Sequence, residues 1–236
     1  MEGRRRIRSY VLRSGRTTPA QERAISRLWP RFGLEFTPAP LDFVAVFGRD
    51  APRVLEIGFG DGDTLVEQAA ADPACDYIGI EVHKPGIGHC LLRAEVLDID
   101  NLRVIAHDAV EVLEKQIPAG SLRRINLYFP DPWPKKRHHK RRLVNPHFLE
   151  ILVPRLKAHG RVFLATDWED LAMYLLEVCD AFPGLENLAG RGNFAPRPAW
   201  RPPTKFERRG LRQGFATFDL VYARSRAQIS LKAESA

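Results

Sequence analysis

Residues 53–62 read Arg53-Val54-Leu55-Glu56-Ile57-Gly58-Phe59-Gly60-Asp61-Gly62. A short apolar run enters a turn with glycine at every second position, and residues 64–71 (TLVEQAAA) then follow a helical pattern. A strand, a glycine turn and a helix in that order open a βαβ unit. The alternation continues downstream. Further strands are expected at 77–80, 102–106, 125–129 and 161–165, and helices at 86–98, 110–116, 146–156 and 168–182. Such alternation implies right-handed crossovers, so the expected fold is α/β, with a mainly parallel Rossmann-like sheet and helices on both faces. A last strand at 215–223 (FATFDLVYA) comes after a long gap, which leaves it free to enter antiparallel.

The flanks read differently. Pro19, Pro30, Pro38 and Pro40 punctuate residues 1–50, which suggests a basic arm with short helices, one of them starting at Thr18 (N-cap) and Pro19. Residues 191–214 are rich in Pro, Arg and Gly and read as a long basic substrate loop inside a domain spanning 51–224. The end, 225–236, reads as a frayed tail.

The glycine spacing is G-x-G-x-G, not the G-x-G-x-x-G of dinucleotide enzymes. Gly58 and Gly60 let the backbone pass close to a ligand. Each early strand ends in a carboxylate: Glu56, Glu81, Asp108 and Asp131. Open parallel sheets bind ligands at those ends, and an acid about 20 residues past the glycines is placed to bind a ribose hydroxyl, as Glu81 is. A diphosphate would be repelled by four carboxylates. A ligand carrying an adenosine, an ammonium and a sulfonium would be attracted, and S-adenosylmethionine fits that description. For any single acid the plainer role is a helix cap or a solvated charge.

Charge is concentrated. The 236 residues hold 36 Lys+Arg against 29 Asp+Glu, a net of +7. Residues 1–16, 135–142 and 191–212 together hold nineteen basic residues and two acids, leaving 17 basic and 27 acidic residues elsewhere. Three basic segments on an acidic body suit a polyanionic partner, and nucleic acid is the usual one. None of the three has an apolar helical face, which disfavours a membrane surface. No apolar run approaches the ~20 residues of a membrane span. The basic N-terminus is not followed by an apolar segment, so no secretory signal is expected. Three scattered cysteines and seven histidines form no ligand pattern, so neither a metal nor a disulfide framework is expected, and the odd cysteine count suits a reducing cytoplasm.

Residues 126–142 read NLYFPDPWPKKRHHKRR. Asp131 follows a buried strand directly, prolines at 130, 132 and 134 stiffen its surroundings, and a basic tract begins at once. Trp133 is either a packed loop aromatic or a face for a base.

With RSYVLRSGRTTPAQ (8–21), EIGFGDG (56–62), FPDPWPKKRHHKRR (129–142) and TKFERRG (204–210), the chain resembles the bacterial tRNA (guanine-N7)-methyltransferase family over about residues 8–222. The FPDPW block with its basic tail is the specific part; the glycine motif indicates only a class I methyltransferase sheet. The resemblance implies S-adenosylmethionine contacts at Glu56, Glu81, Asp108 and Asp131, with Asp131 also the catalytic residue. It implies substrate contacts at Lys135, Asp167, Thr204, Lys205, Phe206 and Glu207, and an RNA-contact segment of Arg137, His138, His139, Lys140, Arg141 and Arg142. The implied substrate is guanine 46 in the variable loop of tRNA. Read on their own, Asp167 either selects guanine through N1–H and N2–H or caps the following helix. Glu207 either reads a base edge or pairs with Arg208 or Arg209. A methyltransferase acting elsewhere in tRNA or on ribosomal RNA, and a non-catalytic RNA-binding protein on the same fold, are the competing readings. The protein is expected as a monomer or homodimer.

Overall fold

A computed structural model describes residues 17–225. The elements run α1 (Pro19–Phe32), β1 (Gly33–Leu34), α2 (Phe43–Phe47), β2 (Arg53–Ile57), α3 (Asp63–Ala71), β3 (Asp76–Ile80), α4 (Lys84–Val96), β4 (Leu102–Ile105), α5 (Ala109–Lys115), β5 (Leu122–Tyr128), α6 (Pro146–Leu152), β6 (Leu156–Thr166), α7 (Glu169–Ala181), β7 (Leu185–Asn187), α8 (Lys205–Arg212) and β8 (Phe218–Arg224). They build one eight-stranded sheet in the order β1-β4-β3-β2-β5-β6-β8-β7. Pairing is parallel from β1 to β6, while β8 runs antiparallel to both β6 and β7. The expected α/β sheet with an antiparallel last strand is therefore present. The chain winds outward from β2 through β3 to β4, then returns to β5 on the other side of β2. That reversal places the topological switch point, and hence the natural crevice, between the carboxyl ends of β2 and β5.

Strand alternation sorts the two faces. Leu55, Ile57, Ile125, Leu127, Val162 and Leu164 point into one core, with apolar residues of α5, α6 and α7 packed in the same cluster. On the other face α1, α3 and α4 cover β2, β3 and β4 through Leu28, Phe32, Leu65, Val66, Ile87 and Leu91. Thr18 caps α1 with a reciprocal Gln21 bond and Pro19 in the first turn, as its sequence indicates. Within residues 17–50, α1 docks closely on α4: a methyl built on Gly88 would stand 2.8 Å from Gln21 Cβ.

Several local readings are revised. The helix expected over 146–156 ends at Leu152, and β6 already begins at Leu156 and runs through Gly160. Residues 191–214 are not wholly loop, since they contain α8. The strands β1 and β7 are additions to the elements expected from the sequence, while the one-turn helix α2 falls among the short helices expected before residue 50.

The cover of the second face over β5, β6 and β8 comes from an unexpected source, the basic 195–207 segment. Ala195 bridges Asp219 at the end of β8. Trp200 packs edge-on against Phe163 at 4.9 Å, and the Arg124 guanidinium lies 3.9 Å from the Trp200 ring centre. Arg201 is wholly buried beneath this segment.

Candidate active site

The carboxyl ends of β4, β3, β2 and β5 carry Asp108, Glu81, Glu56 and Asp131, so the topology gathers the four predicted acids along one rim. Between them, the β2–α3 turn has Gly58, Gly60 and Gly62 at φ of 70°, 60° and 79°. L side chains rarely adopt that region, so glycine is required there. A methyl built on Gly58 or Gly60 meets nothing within 4 Å, which leaves the turn open toward the rim. Its underside is closed: a methyl on Gly86 of α4 would lie 2.1 Å from Gly60 O.

Glu81 ties this turn to β3. Its Oε2 accepts from Gly60 N–H at 2.8 Å, and its Oε1 accepts from the Val82 and His83 N–H groups at 2.7 and 3.0 Å. Asp108 caps α5, accepting from Val110 N–H at 2.8 Å. Glu56 is only 3% exposed. It pairs in register with Asn126 on β5, Gln68 Nε2 approaches it at 3.5 Å, and Asn126 Nδ2 donates in turn to Gln68 Oε1 at 3.3 Å. Burial pushes the Glu56 carboxyl up to about 8, opposed by Asn126 and by the positive fields of Arg124 and Arg201.

The loop after β5 is conformationally unusual. Phe129 and Trp133, two residues to either side of Asp131, have φ of 50° and 48°. Bulky residues in that region cost of order 1–3 kcal/mol each and persist only where the surroundings impose them. Here Pro130, Pro132 and Pro134 restrict the intervening backbone. Trp133 is half-buried: His138 meets its ring edge-on at 5.9 Å and the Arg141 guanidinium lies 5.0 Å from its centre. The indole therefore organises the short 3₁₀ segment Lys136–Arg141 that carries the basic tract.

Within that tract, Lys135, Arg137 and Lys140 are exposed, and His138, His139 and Arg141 are half-buried. Arg142 departs from the expected outward face. It is buried, donates to Pro132 O at 3.2 Å, pairs with Asp170, and stacks over Tyr174 at 4.8 Å.

The predicted substrate residues converge from β6 and α8. Asp167 follows β6 and lies against α8, where a methyl built on Gly210 would come within 3.0 Å of its Oδ2. Trp168, not Asp167, takes the N-cap position of α7. Thr204 caps α8, and Thr204 and Glu207 form a reciprocal capping box: Glu207 N–H donates to Thr204 Oγ1 at 3.0 Å and Thr204 N–H donates to Glu207 Oε2 at 3.2 Å. Glu207 is buried and pairs with Arg201, not with Arg208 or Arg209. Exposed Lys205 reaches across to Asp61 in the glycine turn at 2.8 Å, and exposed Phe206 stacks on Phe129 at 6.4 Å. Thus α8 bridges the β2 turn and the β5 loop over the rim. Asp61 and Arg201, which pair with Lys205 and Glu207 of α8, are residues that sequence reasoning does not single out. Thr204-x-x-Glu207 is itself a helix-start signature that marks α8.

A family model described as "Putative methyltransferase" matches residues 50–220. A tRNA (guanine-N(7)-)-methyltransferase from Aeromonas hydrophila is 55% identical over 220 residues, covering 93% of each chain. One from Alkalilimnicola ehrlichii is 56% identical over 222 residues, also covering 93% of each. The chain belongs to the tRNA (guanine-N(7)-)-methyltransferase family. Among solved structures, the antibiotic-resistance methyltransferase Kmr superposes with a TM-score of 0.53 at 16% identity, covering 81% of this chain and 94% of that one. An rRNA methylase from Streptococcus thermophilus gives 0.51 at 14%, covering 78% and 93%. At such identity these two speak for the class I methyltransferase fold alone. In this family member, no described helix is long and apolar enough to cross a membrane, and no described group of His, Cys, Asp and Glu is arranged to hold a metal.

Proposed function

We propose that the protein transfers a methyl group from S-adenosylmethionine to N7 of a guanine in tRNA, guanine 46 of the variable loop, and works in the cytoplasm. The observation that carries this reading is the 129–142 loop, which joins the acidic rim at Asp131 to the exposed cations Lys135, Arg137 and Lys140 within one stiffened segment. The donor set suits the cofactor: an open glycine turn, a carboxylate fixed by three backbone N–H groups, and further acids along the rim. When bound, S-adenosylmethionine supplies an electrophilic methyl group on a sulfonium.

The residues of the chain then have distinct tasks. Glu81 would hold the ribose hydroxyls of the cofactor and Glu56 its cationic end. Guanine N7 has an in-plane lone pair, so no proton need leave it, and positioning dominates. Asp131 holds the base and stabilises the positive charge that builds on the purine, as an electrostatic group and not a general base. Asp167 accepts from the guanine N1–H and N2–H edge, and the first turn of α8 supports the nucleotide. The exposed cations neutralise RNA phosphates while the base leaves its stack, which costs a few kcal/mol.

The direct test is incubation with bulk tRNA and labelled methyl donor, followed by chemical cleavage at 7-methylguanosine and mapping of the cut. A cut at position 46 is expected. Label in ribosomal RNA only, or none at all, would refute the proposal.

Two further results are expected. Arg137→Ala should make the log–log dependence of tRNA affinity on salt shallower by ~0.7–0.9, the slope carried by one neutralised phosphate. Arg142→Ala should instead lower stability by about 1–3 kcal/mol, because it strips a buried guanidinium from Asp170 and Pro132. Denaturant unfolding and salt-titrated binding separate the two, and equal behaviour of the variants would contradict the assignment.

The second concerns pH. With Glu56 raised from 4.5 to about 8, the folded protein holds this proton more tightly than the unfolded chain. Its contribution to stability is full below about pH 4.5 and is lost as the pH rises through 8. A cation brought against Glu56 favours the ionised form, so cofactor binding should release a proton near pH 7 and tighten as the pH rises toward 8. Calorimetric titration with S-adenosylhomocysteine, which keeps the ammonium group, in buffers of different ionisation enthalpy reads this release. Glu56→Gln should remove it, and a release unchanged in that variant would exclude Glu56 as its source.

A further inference from the structure

Arg201 has no exposed surface, and its side chain is committed to two carboxylates. Its Nε and one terminal nitrogen fork onto Asp219 of β8 at 3.1 and 3.0 Å, and its terminal nitrogens meet Glu207 of α8 at 2.6 and 3.1 Å. The seat for this guanidinium is written in the sheet register. Tyr128, Ala165 and Asp219 stand side by side on β5, β6 and β8. The small Ala165 leaves space between its neighbours, and Arg201 fills it, lying 5.4 Å from the Tyr128 ring centre. A single buried cation thus joins α8 to the last strand and to the strand that leads into Asp131. Only the planar fork of arginine can satisfy both carboxylates at once, because a lysine ammonium is a point charge.

We propose that Arg201 is the positioning residue that presets the first turn of α8, Thr204 to Glu207, against Asp131 and Asp167 for the guanine nucleotide. This rests on the reading of α8 as part of the substrate site. Arg201 itself touches neither reactant: it lies under the helix, while Lys205 and Phe206 face outward. It acts by holding Glu207, which in turn closes the capping box with Thr204. The side-chain partners of Arg201 are Asp219 and Glu207, in neither the basic tract nor the glycine turn, and the Lys205–Asp61 pair that links α8 to the turn is solvent-exposed and so contributes little. Loss of the fork should therefore leave both ligands able to bind and impair the step between them. A misplacement of about 1 Å in such a constellation costs on the order of 100-fold in rate.

The test uses the full-length protein with Arg201→Lys. The expected result is a roughly 100-fold fall in kcat/KM on tRNA. Affinities for S-adenosylhomocysteine and for tRNA, measured separately, should stay within about threefold of wild type. Asp219→Asn serves as a second variant, since it loosens Arg201 without touching α8; the same split with a smaller loss, about two- to tenfold, is expected. If turnover in Arg201→Lys equals wild type, or if turnover, cofactor affinity and thermal midpoint fall together in both variants, Arg201 is only a fold-stabilising residue and the proposal is overturned. A wild-type protein that methylates no tRNA would refute the substrate reading instead, so the two failures are distinguishable.

Discussion

Asp131→Ala should lower turnover by about 10²–10³-fold or more while the protein still folds and binds tRNA. Removing one preorganised electrostatic group from a reacting centre typically has an effect of that order. The fold should tolerate the change because Asp131 is only half-buried and follows β5, so its loss opens no core cavity. The left-handed residues on either side and the prolines between them restrict the loop backbone. Asp131→Asn is the companion variant: it keeps the shape and removes the charge. Both should fail in single-turnover methyl transfer under saturating cofactor, with unchanged circular dichroism. Near-normal turnover in either would remove Asp131 from the chemistry.

Glu81→Ala should weaken S-adenosylhomocysteine binding by on the order of 100-fold. Glu81 accepts three backbone N–H groups, one of them from Gly60. Hydrogen bonds to a charged group contribute about 1.5–3 kcal/mol each, and the loss of a single such bond to the ligand spans most of that range. The alanine would also release the Gly60 turn from β3, so the cofactor would have to order the turn as it binds. Glu81→Gln should be intermediate, since it preserves part of the bonding without the charge. Isothermal titration would reveal the loss, and a dissociation constant within threefold of wild type would mean that Glu81 serves the turn alone.

Much of the sheet is legible in the sequence because its strands are buried on both sides and therefore read as apolar runs bounded by glycine, proline or acids. The rim acids are legible beside them, as charges at or just past the ends of such runs. Where charge dominates the sequence, legibility fails. Residues 204–212 contain a helix start in Thr204-x-x-Glu207, but the arginines around it read as a solvated loop. Glu207 has Lys205, Arg208 and Arg209 as its nearest cations in sequence, yet side chains one or two positions apart on a helix do not face each other. Its partner lies six residues earlier, at Arg201, where the loop turns back onto the sheet. Nothing in the run KKRHHKRR distinguishes Arg142 from its neighbours, because only the fold brings Asp170 and Pro132 to it. The start of β6 is hidden because Lys157, Ala158, His159 and Gly160 lack the apolar signal and interrupt the pairing with β5, His159 taking a left-handed φ of 61° where the register jumps from Leu156 to Arg161.

The left-handed backbone at Trp133 sets two demands that oppose each other. The main chain favours glycine or asparagine, whereas Arg141 and His138 require a broad aromatic plate. A saturation library at codon 133, screened for methylation, should accordingly return tryptophan almost alone: small residues would relieve the torsion and release the arginine, and other large ones would keep the torsion with a poorer surface. Adaptation of this loop to new nucleic-acid substrates is therefore channelled into Lys135, Lys136 and Arg137, which carry neither obligation.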